Sequence, residues 1–376
     1  MIILGLDVVN FRNIKKASLA FSETFNFISG RNAQGKTNLL EAIHLFSLGR
    51  SFRTRHTEEA VTFGEDYFFL RLMCRSDAGI DFRIEIGLER GGRVKASVNG
   101  KKLSSLSEII GIIPSVIFTP QDVMLAAGPP ANRRMYIDYT TAQISPAFLS
   151  NLKEYRKVLR QRNSLLRNAV EERHEPEGLE AWDEMLIEKG EAVVAGRGEM
   201  LSEITSRAGQ LYREIVPSGE TLEIVYLCSF DPVGGGTAGA RREELGRVRD
   251  TEMKRGYTLA GPHFDDIVIS LDATELRKYG SQGRKRLTAI VLKLAQAATI
   301  MERRGERPVV LLDDIFSELD GETSRRARDL LSDRYQSFIT SPRIGRFGDA
   351  LEGASFFVVE SGSFTRGGAM TDQSGA

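Results

Sequence analysis

The chain of 376 residues is 41% hydrophobic and 27% charged, the make-up of a soluble globular protein with one large or two ordinary domains. Lysine plus arginine balance aspartate plus glutamate at 51 each, so no overall field draws the chain to nucleic acid or an anionic membrane; such attraction must come from local patches. Cys74 and Cys228 are too few for a disulfide framework and lack zinc-ligand spacing, while no apolar run reaches the ~18 residues of a membrane span, which together predict a cytoplasmic protein.

In chain order, IILGLDVVNF, NIKKASLAF and FNFIS read as short strands, the last feeding a glycine loop. That loop, Gly30, Arg31, Asn32, Ala33, Gln34, Gly35, Lys36 and Thr37, completes G-x-x-x-x-G-K-T ahead of a helix that opens at Asn38. Its glycines let backbone amides converge on phosphate oxygens, and the helix adds its positive N-terminal end. Lys36 is placed to bridge terminal phosphates and Thr37 to ligate Mg²⁺. Arg50, Arg53 and Arg55 follow that helix as a basic cluster that could contact a phosphate backbone, although each reads equally well as a solvated surface arginine. Alternation from Phe68 to Val98 predicts an antiparallel sheet inserted after the first helix, and PSVIFTP a further buried strand.

After the GPP break at Gly128, where Arg133 and Arg134 form a second candidate phosphate-backbone contact, the texture turns helical. Leu152, Tyr155, Leu159, Arg162 and Leu166 are spaced 3, 4, 3, 4, and Leu201, Ile204, Ala208, Leu211 and Ile215 repeat the same spacing. Spacing alone fits a helical bundle as well as a projecting arm; insertion between two halves of a nucleotide site favours a helical lobe on an ATPase head. HEPEG reads as the turn between helices, LEIVYLCSF as a strand, and PVGGGTAGA as a loop. Lys153, Arg156, Lys157 and Arg160 read as a solvated helix face. In AGPHFDD, adjacent Asp265 and Asp266 point differently along a strand and His263 has no second histidine at ligand spacing, so a structural or switch role near the interface is favoured over a metal site.

Ser281, Gln282 and Gly283 precede a long apolar helix, either as its cap or as an anion site. PVVLLDD then reads as a strand buried on both faces that emerges at a charged site. Asp313 is predicted to hold Mg²⁺ through water and Asp314 to orient the attacking water. About 270 residues separate this strand from the glycine loop.

The order of glycine loop, long insertion, Ser-Gly turn with helix, double-aspartate strand and SELD resembles the ABC-type ATPases, in particular SMC-like heads. LDVVNFRNIKKASLAFS, GRSFRT, FTPQDVMLAAGPPANRRMYIDY, AGPHFDD, SQGRKR and LLDDIFSELD narrow the resemblance to the RecF family of bacterial DNA repair and replication proteins. The resemblance implies an α/β fold: an ABC-type P-loop ATPase head with an added antiparallel sheet and an inserted helical arm lobe. The expected division is 1–130 and 251–360 for the two halves of the head, 131–250 for the arm, and a disordered tail over 361–376.

It further implies ATP and Mg²⁺ as cofactors, a homodimer closed head to head by ATP on double-stranded DNA or single/double-strand junctions, and weak DNA-stimulated ATPase activity. RecR and RecO are the implied partners in recombinase loading, within the SOS response to DNA damage. By position, Ser281 to Gly283 act in trans, Asp313 is the metal-site acid, Asp314 the hydrolytic one, and Gln121 the metal- and water-sensing glutamine. Two departures stand out: Asp314 where many ABC proteins have glutamate, and Thr340 where many have a switch histidine, which predicts slow turnover. They leave a nucleotide-binding scaffold with little ATPase activity as an alternative. A kinase or GTPase would show its acidic strand sooner, and a transporter ATPase a fuller LSGGQ signature.

Overall fold

The structure is a computed structural model that describes all residues except 55, 173–175, 217–218, 231–237, 316–324, 327–328, 332–333, 343–352 and 368–376. The chain divides into two compact units: Met1–Asp122, Glu214–Pro217 and Lys293–Ala376 in the first, Val123–Arg213 and Ser218–Leu292 in the second. The inserted unit is therefore larger than the arm expected over 131–250, because the segment leading into the Ser281 turn belongs with it.

The first unit is built on two sheets. One has strand order β2-β1-β4-β5-β6-β7, all neighbours antiparallel, from β1 (Ile2–Phe11), β2 (Ile14–Ala20), β4 (Tyr67–Arg75), β5 (Asp81–Glu89), β6 (Lys95–Val98) and β7 (Lys101–Lys102). The alternation after the first helix does form strands, but they continue a sheet begun before the glycine loop. In β4, Phe68, Leu70, Leu72 and Cys74 are buried on one face. Burial pushes the Cys74 thiol up to about 12, which keeps it neutral and unreactive.

The second sheet runs β15-β14-β3-β13-β12-β8, from β3 (Phe25–Ser29), β8 (Ser115–Phe118), β12 (Val309–Asp313), β13 (Ser337–Ser341), β14 (Ser355–Glu360) and β15 (Ser363–Gly367). The five strands from β14 to β8 are parallel and β15 closes the edge antiparallel. β3, β8 and β12 are buried at every position, as strands covered on both faces are, with Asn26, Ser29, Ser115 and Asp313 as their polar members. β15 corrects the C-terminal expectation: the residues from Ser363 to Gly367 are strand, and any tail begins after them.

Helix α1 (Lys36–Leu48) contacts strands of both sheets and is buried from Leu39 to Leu48. Such a position buries all sides of the helix, taking in Glu41, His44 and Ser47 along with its apolar residues. Gln336 also ties the sheets together: its Oε1 accepts from the Ile3 amide at 2.6 Å and its Nε2 donates to the Ile3 carbonyl at 2.7 Å.

The second unit contains α2 (Val123–Ala127), α3 (Pro130–Ile144), α4 (Pro146–Glu172), α5 (Leu179–Ile215) and α6 (Ala238–Arg255). A three-stranded antiparallel sheet, β11-β10-β9, comes from β9 (Leu222–Leu227), β10 (Asp266–Leu271) and β11 (Thr274–Glu275). Short α7 (Leu276–Tyr279) leads into α8 (Gln282–Arg304), whose residues from Lys293 onward count with the first unit. The seam on α4 is Phe148, Leu152, Tyr155, Val158, Arg162, Leu166 and Ala169; Leu159 is only partly buried, so the spacing follows a globular helix rather than a strict heptad.

Arg162 sits in that seam with no exposed surface. It donates to Asp183 Oδ1 (2.8 Å), Glu252 Oε2 (2.7 Å) and Thr258 Oγ1 (2.7 Å). Among the described residues no helix is long and apolar enough to cross a membrane. SELD and most of PVGGGTAGA lie outside the described residues.

Candidate functional site

Parallel strands deliver whatever follows them to one edge of the sheet, the carboxyl edge, where ligands of open α/β sheets bind. Here β3 leads into the glycine loop, β12 into Asp314 and β8 into Thr119, Pro120 and Gln121, while β13 ends at Ser341. Register fixes their levels: Thr340 lies opposite both Asp313 and Ile28, and Phe118 opposite Leu312. The four segments therefore end side by side.

The loop from Gly30 to Gly35 has an unusual backbone. Ala33 (φ 65°) and Gly35 (φ 122°) both take positive φ, the second as the residue that caps α1. Arg31, Asn32 and Ala33 are exposed. Lys36 folds back so that its ammonium donates to the Gly30 carbonyl at 2.6 Å and the Arg31 carbonyl at 3.0 Å. Burial lowers its pKa, opposed by the charges of Asp314 and Asp313.

Thr37 Oγ1 lies 2.8 Å from Asp313 Oδ1 and 3.1 Å from Oδ2, so residues far apart in sequence meet directly. Thr340 Oγ1, buried, donates to the same Oδ1 at 2.9 Å and accepts the Asp314 amide at 3.0 Å. Burial raises the Asp313 pKa; the Thr37 and Thr340 hydroxyls oppose this, Asp314 adds to it, and Lys36 opposes it. Asp314 sits just beyond the strand at φ 56°, a left-handed position that aspartate tolerates better than most residues. Gln121 is exposed on a single 3₁₀ turn directly after β8.

Ser281, Gln282 and Gly283 are exposed at the start of α8, with Ser281 Oγ accepting the Arg284 amide at 3.3 Å as a cap. Arg284 pairs with Glu220. They belong to the second unit, the glycine loop to the first.

The arginine candidates divide. Arg133 is buried, bonded to both carboxylate oxygens of Asp266 (2.8 and 3.0 Å) and to the carbonyls of Leu125 and Gly128, so it is spent on structure and is withdrawn as a DNA contact. Arg134 is half-buried and donates to the Asp265 carbonyl at 2.6 Å. Arg53 reaches Asn38 Oδ1 at 2.5 Å, beside the glycine loop, and Arg50 is exposed; Arg55 is outside the described residues.

His263 is held by the Tyr155 hydroxyl at 2.6 Å, and Asp265, fully buried, accepts from Arg197 and Ser229. His263 and Asp265 of the AGPHFDD segment thus take part in a polar hydrogen-bond network.

Three features had no place in the sequence reading. Glu41, fully buried on α1, is bound by Arg12 at 2.6 and 3.0 Å and by Ser51 Oγ at 2.6 Å. A glutamate inside NLLEAIHLF was the available signal, since a buried charge demands a partner. Asn13, in the turn between β1 and β2, donates to the Gln34 carbonyl at 2.9 Å and accepts from Asn38 at 2.7 Å. Beside it a cavity of about 450 Å³ is lined by Arg12, Asn38, Arg53, Val61 and Phe63, among others.

The family model described as RecF/RecN/SMC N terminal domain matches residues 2–363. The DNA replication and repair protein RecF of Caldanaerobacter subterraneus subsp. tengcongensis is 40% identical over 344 residues, 90% of this chain and 94% of that one. A solved structure of the recombination mediator protein RecF with ATP, in the RecFOR pathway, superposes with a TM-score of 0.90 at 37% identity over 98% of both chains. The head of Smc bound to the C-terminal winged-helix domain of ScpA matches with a TM-score of 0.58 at 16% identity, a likeness of fold alone.

Proposed function

The chain belongs to the RecF family, and on that premise we propose an ATP-operated DNA-binding protein of recombinational repair and replication, two copies of which close head to head when ATP is bound. The observation that carries the proposal is the contact of Thr37 with Asp313 at the carboxyl edge, beside Lys36 and Asp314. Hard oxygens of a hydroxyl and a carboxylate 2.8 Å apart fit Mg²⁺: Thr37 would ligate the ion and Asp313 would hold it through water, and the ion would supply positive charge to offset that of the phosphates. Among the described residues no cluster of three His, Cys, Asp or Glu offers an alternative metal site.

In this reading Lys36 exchanges the Gly30 and Arg31 carbonyls for terminal phosphate oxygens, and the amides from Arg31 to Asn38 cradle the phosphates. The cavity beside Asn13 and Asn38 receives the nucleoside. Asp314 would orient the attacking water, and Gln121, after β8, would sense metal and water. Ser281, Gln282 and Gly283 complete the site of the other copy, which their exposure on a separate unit supports. Turnover is slow, because Asp314 is one methylene shorter than glutamate and Thr340 supplies a hydroxyl in place of an imidazole. DNA contact falls to Arg50, Arg53 and Arg134 and is sequence-independent. RecR and RecO are the proposed partners.

Sedimentation with ATP, ADP or no nucleotide, with and without duplex DNA, tests this: dimers form only with ATP, and DNA speeds phosphate release. Lys36→Met abolishes the ATP-dependent dimer. A monomer in every condition, or a Lys36→Met protein that still dimerises with ATP, refutes the clamp. The bonds Thr340 makes to both aspartates also favour a second reading, a nucleotide-binding scaffold. ATP-dependent dimers without any phosphate release would select it.

A further inference from the structure

The phosphate loop does not hold its own shape. Its two left-handed residues, Ala33 and Gly35, flank Gln34, and Gln34 is the residue gripped from outside. Its carbonyl accepts the Gly362 amide at 2.8 Å as well as Asn13 Nδ2 at 2.9 Å, and its side-chain Oε1 accepts the Ser361 amide at 2.6 Å. Ser361 (φ 46°) and Gly362 (φ 80°) form the two-residue turn between β14 and β15, the twist-matched hairpin turn that wants positive φ at both positions. Two backbone amides at the C-terminal end of the described chain thus fasten the middle of a loop near its start.

The fit is tight on every side. A Cβ on Gly362 would lie 2.1 Å from the Asn13 carbonyl oxygen, one on Gly30 2.4 Å from the Val359 carbonyl oxygen, and one on Gly35 2.8 Å from Asn13 Oδ1. The loop is wedged between two hairpin turns, and its glycines answer to those walls as well as to phosphate. A loop with residues in sparsely populated conformations persists only when its surroundings over-determine them.

We propose that Ser361 and Gly362 are positioning residues for nucleotide: the turn between β14 and β15 clamps Gln34, and so presets the amides from Arg31 to Lys36 for phosphate. This rests on the reading of that loop as the ATP site. The clamp predicts that a disturbance of the turn weakens triphosphate binding without unfolding the first unit.

The experiment compares Gly362→Ala with Gly353→Ala in the full chain. Gly353, just before β14, has the same φ of 80° but nothing within 4 Å of its would-be Cβ, so it carries the same backbone strain without touching the loop. A fluorescent ATP analogue is titrated with Mg²⁺ at a temperature where calorimetry shows both variants folded. Gly362→Ala is expected to bind about tenfold more weakly than wild type, and Gly353→Ala within about twofold, the loss of hydrogen bonds costing roughly that much. Equal affinities for the two variants overturn the clamp.

If Gly362→Ala fails to fold, Gln34→Met serves instead, because it removes the acceptor of the Ser361 amide without added bulk or strain. About threefold weaker binding is then expected from the loss of one neutral hydrogen bond, and unchanged affinity overturns the proposal. Wild-type protein that binds no ATP analogue would instead sink the nucleotide reading itself.

Discussion

Replacement of Thr340 by valine keeps shape and removes one hydroxyl, yet that hydroxyl serves two groups. It donates to Asp313 Oδ1 at 2.9 Å and accepts the Asp314 amide at 3.0 Å, from a residue 2% exposed. A hydrogen bond to a charged group contributes about 1.5–3 kcal/mol and a buried amide left without an acceptor costs about 1–3 kcal/mol, so the loss is roughly 3 kcal/mol while Asp313 is ionised. The two parts respond differently to pH. Burial already raises the Asp313 pKa above its unfolded value of 3.8, so the folded state holds the carboxyl proton more tightly than the unfolded chain does. Stability of the first unit therefore rises as pH falls through the folded pKa, and the penalty for the ionised form is fully present above it. Valine removes one of the bonds that hold that pKa down, so the deficit is largest at alkaline pH and shrinks on acidification, leaving the share due to the Asp314 amide. Calorimetry at several pH values reads this, with the first unit's transition identified as the one that ATP shifts. A deficit below about 1 kcal/mol, or one that does not vary with pH, refutes the assigned bonds.

Arg162→Met strands Glu252, itself fully buried, and should cost the second unit about 3–5 kcal/mol, while pairing it with Glu252→Leu should return part of that; Trp182, beside Asp183, reports the unfolding. Two outcomes speak against it: a loss near zero, or a double variant worse than the sum. The pKa of His263, partly buried and near the charges of Arg134, Arg162 and Arg197, is lowered by burial from 6.5 to about 4, so the folded state binds its proton later than the unfolded chain. The second unit then loses roughly 3 kcal/mol as pH falls from 6.5 to 4, a slope that should largely vanish in His263→Phe. Arg133→Ala is expected to destabilise the second unit and leave the salt dependence of DNA binding as it was, whereas Arg50→Ala should lower the salt slope by about 0.9 without loss of stability. The opposite pattern would restore Arg133 as a DNA contact.

Legibility followed the range of the interaction involved. The β3 loop, the α1 start and the Asp313 strand were readable because each is encoded in a few consecutive residues: glycines before Lys36, four apolar residues before Asp313. The helices α4 and α5 were readable from spacing, although the predicted seam put Leu159 where Val158 is buried, a drift that follows from 3.6 residues per turn. What escaped depends on partners distant in sequence. Nothing local distinguishes Arg133 from Arg50; only the arrival of Asp266 turns one into a buried brace. The RREELGRVRDTEMKR helix, α6, was missed because its buried face is charged, Arg241 and Glu252 being matched by Glu191 and Arg162. β15, with only partly buried and exposed side chains, has no apolar pattern, and its Ser361-Gly362 turn was the one cue.

The distance between Thr37 and Asp313 along the chain has a topological cause. Between β3 and β12 in the sheet lies β13, which comes later in sequence, so the two halves of the site cannot be joined by one short crossover. The chain instead leaves after β8 and returns as β12 to pair beside it, with Leu312 opposite Phe118. Roughly 190 residues are inserted between two adjacent strands, yet each doubling of such an insertion costs only about 0.6 kcal/mol in closure entropy. The insertion also has its own buried network around Arg162 and Arg197, so it does not draw on the sheet for its core. Register alone sets where the carboxylate lands: β12 on β8 and β13 fixes Asp313 level with Thr340, and β13 on β3 fixes Thr340 one residue below the end of the strand that launches the loop. An inserted arm of different length would therefore leave the contact of Thr37 with Asp313 unchanged, whereas a one-residue slip of β12 would swing Asp313 to the other face of the sheet and dismantle the site.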